Sequence, residues 1–201
     1  ISARLELDLH ALHVQKVTVD GAAVKHSDRR NRLIVRLAAP LSPGDEVEVV
    51  VRYSGSPKPV RKRHLGTAGW EELTDGVIVA AQPHGAPSWF PCNDRPSNKA
   101  SYRIALTTGS DYVVIANGSL VDQDRGTRTT TWVYEQRQPM ATYLATVQIG
   151  RYDVVDVKGA RVPLRTVVPP ALRDRFDSAF GRQADMIDYF SDLFGDYPFD
   201  G

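Results

Sequence analysis

Short stretches in which apolar and polar residues alternate recur through the first 168 residues of this chain, and they constrain its fold more than any other feature. The clearest examples are residues 5–9, 33–37 and 47–53. Successive side chains of a strand point to opposite faces, so a period of two predicts half-buried β-strands. Asp20-Gly21 is typical of a two-residue hairpin, because both positions need positive φ. The chain is therefore predicted to be mainly β, with antiparallel sheets.

Later parts of this region continue the strand pattern. Strands are predicted at residues 77–79, 102–106, 112–116, 119–121, 129–134, 143–149, 152–157 and 162–168. Asn117-Gly118 is predicted to form a tight hairpin between two of these strands. Residues 54–69 hold several glycines and prolines around a basic run, which predicts either a loop or an excursion from the sheet.

The last part of the chain has a different period. After Pro169-Pro170, apolar residues recur at steps of three and four, which predicts one C-terminal amphipathic α-helix over residues 170–195. Gly195 and Pro198 end it. The helix carries four phenylalanines, more than packing on a small sheet requires. Two interpretations stay open: it packs on its own domain, or its main partners lie in a following domain.

Composition excludes several classes of protein. Of the 201 residues, 42% are apolar and 24% charged, as in soluble globular proteins, and the net charge is only +1. Two basic groups, residues 29–32 and 61–64, lie beside turn residues and are interpreted as solvated loops. No segment approaches the ~20 apolar residues that span a bilayer. We therefore expect neither nucleic acid nor membrane as a partner, and a cytoplasmic location, with secretion left open.

Residues 81–100 do not fit the pattern of strands and turns. They hold four prolines, a Trp-Phe pair and Cys92, the only cysteine, which excludes an intrachain disulfide. The segment is too aromatic to be disordered, and long irregular segments in compact domains tend to be functional. Cys92 is expected to be a buried small apolar residue and not a nucleophile.

Part of this segment resembles a known family. The run Trp89-Phe90-Pro91-Cys92-Asn93-Asp94-Arg95-Pro96, followed by Lys99-Ala100, is similar to the signature of the amino-terminal domain of the M1 zinc aminopeptidases, which include aminopeptidase N and the leukotriene A4 hydrolases. Four further landmarks follow the family order: Tyr53-Ser54-Gly55, Ala116-Asn117-Gly118-Ser119-Leu120, Pro139-Met140-Ala141-Thr142-Tyr143-Leu144 and Phe194-Gly195-Asp196-Tyr197-Pro198-Phe199.

The resemblance implies an architecture and an activity. Residues 1–168 would form a saddle-like or sandwich-like β-rich amino-terminal domain that lacks its first strands. Residues 169–201 would form a linker and the first helix leading into a catalytic domain outside this chain. That domain would hold zinc and hydrolyse the first peptide bond of a substrate with a free amino terminus. The chain would cover one side of its active-site cleft.

The sequence itself offers no metal site. A zincin site needs His-Glu-x-x-His on a helix, and the chain has no such run. His10 and His13 are three residues apart in strand-like sequence, so they would point to opposite faces. We therefore expect this chain to bind no metal and to have no peptidase activity alone.

Gln82 is the main candidate for substrate binding. The resemblance implies that the residue eight positions before Phe90 helps bind the α-amino group of the substrate. A carboxamide oxygen can accept a hydrogen bond from an ammonium group. The alternative is that Gln82 caps a nearby loop backbone. His84, Gly85 and Ala86 are weaker candidates for lining the same cleft, and His84 is otherwise expected to be solvated or bonded to backbone.

Several residues after these are expected to support the segment. Trp89, Phe90 and Pro91 would anchor it through apolar packing. Asp94 would accept hydrogen bonds from turn amides or pair with Lys99.

Two other functions remain to be weighed. The chain could be a non-catalytic relative whose β-domain serves protein interaction. An unrelated carbohydrate-binding β-sandwich is disfavoured, because it would not explain five ordered landmarks.

Overall fold

The alternating stretches form strands in the computed structural model, which describes residues 3–200. Its strands are β1 (Arg4–Asp8), β2 (His13–Val19), β3 (Ala22–Ala23), β4 (His26–Arg29), β5 (Arg32–Arg36), β6 (Val49–Ser54), β7 (Val60–Lys62), β8 (Gly66–Leu73), β9 (Gly76–Ala80), β10 (Lys99–Gly109), β11 (Val113–Ala116), β12 (Ser119–Arg125), β13 (Thr129–Ala141), β14 (Val147–Gly150), β15 (Asp153–Val157) and β16 (Leu164–Val168). The strand pairs are antiparallel, so the prediction of a mainly β, antiparallel fold is confirmed.

The chain divides into two compact units. The first contains the residues up to Glu71 together with Val79–Asn98 and Ala141–Leu144. The second contains Glu72–Ile78, Lys99–Met140 and the residues from Ala145 onward. The two units interleave along the chain. The division into a β-rich domain over residues 1–168 and a linker with the first helix over residues 169–201 stays a prediction.

The first unit has two three-stranded sheets, in the orders β1-β5-β4 and β3-β2-β6. Their apolar faces supply one core, whose buried members are Leu9, Leu12, Val14, Val17, Leu33 and Val35. The Asp20-Gly21 turn between β2 and β3 has φ angles of 49° and 79°, as the sequence predicted for a two-residue hairpin.

Part of the first unit was not predicted. Residues 54–69 were expected to be a loop or an excursion from the sheet, with no strand among them. Instead, β7 pairs with β8 in an antiparallel hairpin, with Val60 opposite Ala68 and Lys62 opposite Gly66. β7 has only three residues and is surrounded by glycines and prolines, so no alternation of apolar and polar residues indicates a strand there. Conversely, Val47 lies outside β6, which begins at Val49.

The second unit contains sheets in the orders β10-β13-β12 and β11-β14-β9, and the β15–β16 hairpin. Tyr134 of β13 is 3% exposed, and its hydroxyl donates a 2.7 Å hydrogen bond to the Val114 carbonyl of β11. Residues 143–149 were predicted as one strand, but a 3-10 turn at Thr142–Leu144 delays β14 until Val147.

The predicted hairpin at Asn117-Gly118 is wrong. β11 pairs with β14 and β12 pairs with β13, so the dipeptide connects two sheets instead of two paired strands. Asn117 Oδ1 accepts a 2.7 Å hydrogen bond from the Thr146 amide. Gly118 has φ 81°, and a Cβ there would lie 2.0 Å from the Glu135 carbonyl oxygen. This contact with β13 requires glycine at the corner.

The C-terminal amphipathic helix is present and consists of several segments. A 3-10 turn at Pro170–Arg175 leads into α1 (Phe176–Phe180), and α2 (Gln183–Phe194) follows. Gly195, with φ 92°, ends α2 as predicted. Ser191 is the buried residue of α2, whereas an apolar face made by Met186, Tyr189, Phe190, Leu193 and Phe194 is exposed.

Candidate functional site

The irregular segment predicted from the sequence lies in the first unit, between β9 and β10. The Gln82-Pro83 peptide is cis, and Ala86–Ser88 form a single 3-10 turn. Gly85, Ala86, Pro87 and Ser88 are all buried. The segment is therefore a packed part of the unit, with its most buried residues in the middle.

Ser88 and two glycines fix the turn against β8. The Ser88 side chain is completely buried, and its hydroxyl accepts a 2.8 Å hydrogen bond from the Trp70 amide. Gly85 has φ 120°, and a Cβ there would lie 2.6 Å from the Ala68 carbonyl oxygen. A Cβ on Gly69 would lie 2.5 Å from Ser88 Oγ. Only glycine at both positions allows the two backbones to approach so closely.

His84 is part of this packing. Its side chain is 2% exposed, and Nε2 lies 3.2 Å from the Val60 carbonyl oxygen, so the ring donates there in the Nε2–H tautomer. Nδ1 is buried and has no hydrogen-bond partner among residues 3–200. The side chain therefore connects the segment to β7.

Asp94 joins three parts of the first unit. Its Oδ2 accepts a 3.3 Å hydrogen bond from the Gly85 amide, and its Oδ1 accepts one of 3.0 Å from the Thr142 hydroxyl. Its own amide donates to Asp8 Oδ2 over 3.2 Å. Hydrogen bonds to a carboxylate are stronger than those between neutral groups. Asp94 is thus placed to hold the turn at Gly85 in position.

The aromatic pair is half-buried. The rings of Trp89 and Phe90 meet edge to face, with centroids 4.6 Å apart and an interplanar angle of 71°. The Tyr53 hydroxyl donates a 2.8 Å hydrogen bond to the Trp89 carbonyl. Burial, and to a smaller extent Cys92, raises the pKa of Tyr53. Pro91 is also half-buried.

Cys92 lies in a β-bridge with Asp8. The Asp8 amide donates to the Cys92 carbonyl over 2.7 Å, and the Cys92 amide donates back over 3.0 Å. The side chain is 7% exposed. Burial, followed by the nearby carboxylates of Asp94 and Asp8, raises the pKa of the thiol far above its usual range. The thiol is therefore neutral and a poor nucleophile in the folded chain.

Gln82 differs from the residues around it because it is exposed. Ala81 before it is 5% exposed and His84 after it is buried, so a solvent-facing carboxamide sits on a stretch with buried residues on both sides. Lys99, the other polar candidate, is exposed at the start of β10. The substrate-binding role of Gln82 stays a prediction.

Three residues important to this geometry were missed from the sequence: Asp8, Gly69 and Thr142. Thr142 belongs to the Pro139-Met140-Ala141-Thr142-Tyr143-Leu144 motif, which was recognised in the sequence. The sequence did not indicate its hydrogen bond to Asp94. Asp8 lies in ordinary strand sequence, where nothing local marks it. Gly69 was one of several glycines in the 54–69 stretch, and nothing local distinguished it from the others.

The described residues do not fit a zinc centre. Between residues 3 and 200, no group of three or more histidine, cysteine, aspartate or glutamate side chains is placed to ligate a metal ion. Within the same range, no helix is both long and apolar enough to cross a membrane.

Comparison with known proteins gives consistent results. Residues 3–144 match the family model of the peptidase M1 N-terminal domain. Human glutamyl aminopeptidase is 30% identical over 123 residues, which cover 59% of this chain and 12% of that protein. Probable aminopeptidase 1 of Sulfurisphaera tokodaii is 25% identical over 194 residues, which cover 95% of this chain and 23% of that protein.

A solved structure is similar over nearly the whole chain. A crystal structure of an M1 zinc metallopeptidase mutant from Deinococcus radiodurans, bound to a Tyr-Ser-Ala substrate, aligns with a TM-score of 0.87 and 26% identity. The alignment covers 98% of this chain and 47% of that one. The chain therefore spans less than half the length of the proteins it matches.

Proposed function

Because this chain belongs to the peptidase M1 N-terminal domain family, we propose that it forms the non-catalytic side of the active-site cleft of a zinc-dependent aminopeptidase. Its relatives are aminopeptidases and its structural neighbours are zinc metallopeptidases, all considerably longer than this chain. Because the described residues offer no metal site, zinc and the hydrolytic step would belong to a further domain.

The exposed carboxamide of Gln82 on an anchored segment is the observation that carries this proposal. An acceptor that recognises an ammonium group must hold its position, because binding geometry tolerates little slack. Ser88, His84 and Asp94 provide that rigidity through bonds to β8, β7 and Thr142. The Gln82 oxygen would accept a hydrogen bond from the α-ammonium of the peptide, and thereby favour substrates with a free amino terminus.

Replacement of Gln82 tests this role in the whole protein. Gln82→Ala should lower kcat/KM for peptides with a free amino terminus by about tenfold, the loss of one hydrogen bond to a charged group. Zinc content should not change. Gln15→Ala is the matched control, because Gln15 is an exposed glutamine elsewhere in the first unit. Equal kcat/KM in Gln82→Ala and the native protein would show that Gln82 does not bind substrate.

The alternative function is a non-catalytic interaction domain with the same fold. Two properties of the whole protein distinguish these functions, because an aminopeptidase carries stoichiometric zinc and hydrolyses aminoacyl substrates. A whole protein with neither property would favour the alternative.

A further inference from the structure

Two basic stretches far apart in the sequence meet at one depression in the first unit. Arg30 and Arg32 lie at the β4–β5 hairpin, and Arg61 and Lys62 lie on β7; all four line a cavity of about 250 Å³. From the sequence, these stretches were expected to be two separate solvated loops. Their convergence is a property of the fold.

The charge of the cavity is positive. Besides these four cations, it is lined by the carboxylates of only two acidic residues, Asp8 and Asp94. Both oxygens of Asp94 already accept hydrogen bonds, from the Gly85 amide and the Thr142 hydroxyl. Asp8 accepts from the Asp94 amide. Both carboxylates therefore already accept hydrogen bonds from within the first unit.

Most of the cations are not neutralised. Arg32 pairs with Glu6 at 2.9 Å and more loosely with Asp8 at 3.7 Å. Arg30, Arg61 and Lys62 form no ion pair with any residue between 3 and 200. Three positive side chains thus border one cavity without an anionic partner from the described residues.

The backbone around the cavity is well ordered by hydrogen bonds. Arg61 and Lys62 pair with Thr67 and Gly66 of β8. The Asn31 carbonyl at the tip of the β4–β5 hairpin accepts a 3.1 Å hydrogen bond from Leu9. Arg32, Arg61 and Lys62 therefore lie on paired strands, and Arg30 lies in the two-residue turn that connects β4 to β5.

His10 adds a further polar group to the cavity. Its amide donates a 2.8 Å hydrogen bond to the Pro87 carbonyl, which ties it to the 3-10 turn at Ala86–Ser88. Its Nδ1 is buried and has no hydrogen-bond partner within residues 3–200. The cavity thus borders the anchored segment described above.

We propose that this cavity is a binding site for a small polyvalent oxyanion of the phosphate class. Guanidinium groups present paired donors that match the oxygens of such anions, and a lysine adds a point charge. Nucleic acid would instead require a basic stripe along one face. An open cavity of about 250 Å³ bordered by three unpaired cations favours a small ligand. This proposal does not depend on the role of Gln82.

Titration calorimetry of the whole protein with inorganic phosphate and with pyrophosphate tests the site. Ionic strength is held at about 0.15 M with sodium chloride, so that general screening stays constant. Arg30→Gln and Arg61→Gln should each weaken binding severalfold, and the double variant by about tenfold or more. Arg29→Gln and Arg63→Gln are matched controls, because they remove the same charge from neighbouring positions that do not line the cavity. They should bind within about twofold of the native protein.

Several results would overturn the proposal. One is the absence of heat with either anion, and another is equal weakening in all four variants, which would indicate diffuse charge attraction. Binding that is unaffected by Arg30→Gln and Arg61→Gln would place the anion elsewhere, including at a metal centre. Tighter binding of a hexaglutamate peptide than of pyrophosphate, lost in the same variants, would assign the surface to an acidic segment instead. If the double variant fails to fold, Lys62→Gln replaces it and should weaken binding severalfold, like each single arginine variant.

Discussion

Thr142 donates a 3.0 Å hydrogen bond to Asp94 across 48 positions of sequence. The same carboxylate also accepts a hydrogen bond from the Gly85 amide. One side chain in the segment before β10 therefore connects Gly85, which precedes the 3-10 turn at Ala86–Ser88, with Thr142, which follows β13. Both residues belong to the first unit. Their bond joins two of the landmarks by which the chain resembles its family.

Asp94→Asn should destabilise the chain by about 1–2 kcal/mol, because the amide replaces one charged acceptor with a donor. Thr142→Val should lower the free energy of unfolding by about 1 kcal/mol. The double variant should lower it by less than the sum of the two single effects, because both substitutions remove the same hydrogen bond. Urea unfolding, followed by tryptophan fluorescence, measures the three free energies. Asp122→Asn, on the exposed face of β12, is the control and should change stability by less than about 0.5 kcal/mol. Strict additivity of the two substitutions would show that the bond contributes nothing.

The close approach of Gly85 to β8 gives a second prediction. Gly85→Ala should destabilise the chain by more than about 2 kcal/mol, because the new Cβ would clash with the Ala68 carbonyl as well as adopt positive φ. Gly44→Ala separates the cost of positive φ from the cost of the steric clash. Gly44 has φ 95°, but no atom lies within 4 Å of the position that its Cβ would take. It should therefore cost only about 1–2 kcal/mol. Denaturation midpoints that are equal in the two variants would show that the segment moves freely away from β8.

Local rules predicted the elements whose geometry is decided locally. Asp20-Gly21 forms its hairpin because two consecutive positive φ angles are a property of the dipeptide and its flanking strands. The same reasoning failed at Asn117-Gly118, where the strands that follow and precede the turn find other partners. A turn can connect two paired strands or lead from one sheet to another. Contacts such as that of Gly118 with Glu135 decide between these outcomes, and no local sequence pattern encodes them.

The candidate site shows the same division. Its central segment stood out in the sequence because strand and turn patterns could not account for it. Its supports could not be identified, because Ser88 bonds to Trp70 and Asp94 to Thr142 over 18 and 48 positions. Likewise, Arg30 and Arg61 were assigned to separate loops, and only the pairing of β7 with β8 and of β4 with β5 fixes where they lie.

The apolar face of α2 leads to a third prediction. Met186, Tyr189, Phe190, Leu193 and Phe194 recur at helical spacing and are 52–82% exposed. Isolated apolar faces of this kind mark interfaces. If the chain is part of an aminopeptidase, as proposed above, a further domain of the whole protein would cover this face. Phe190→Asp should then change the stability of residues 1–201 by less than about 1 kcal/mol, but destabilise the whole protein by about 3 kcal/mol or more.

Calorimetric unfolding of both forms provides the comparison. Asp185→Asn, at a neighbouring exposed position of α2, is the control and should be close to neutral in both. A Phe190→Asp effect that is equally small in the whole protein would mean that no domain packs on this face.

The buried thiol of Cys92 predicts how stability depends on pH. Burial, with Asp94 and Asp8 adding to it, raises the folded-state pKa far above that of the unfolded thiol, about 8.5. Above this pH the unfolded chain loses a proton that the folded chain keeps, so the free energy of unfolding falls as pH rises. The native chain should lose about 1 kcal/mol more than Cys92→Ala between pH 8.5 and 9.5. Urea unfolding at four pH values in this interval measures the difference, in which titrations common to both proteins cancel. Parallel pH profiles would mean that the thiol ionises equally well in the folded chain and is not shielded as the structure describes.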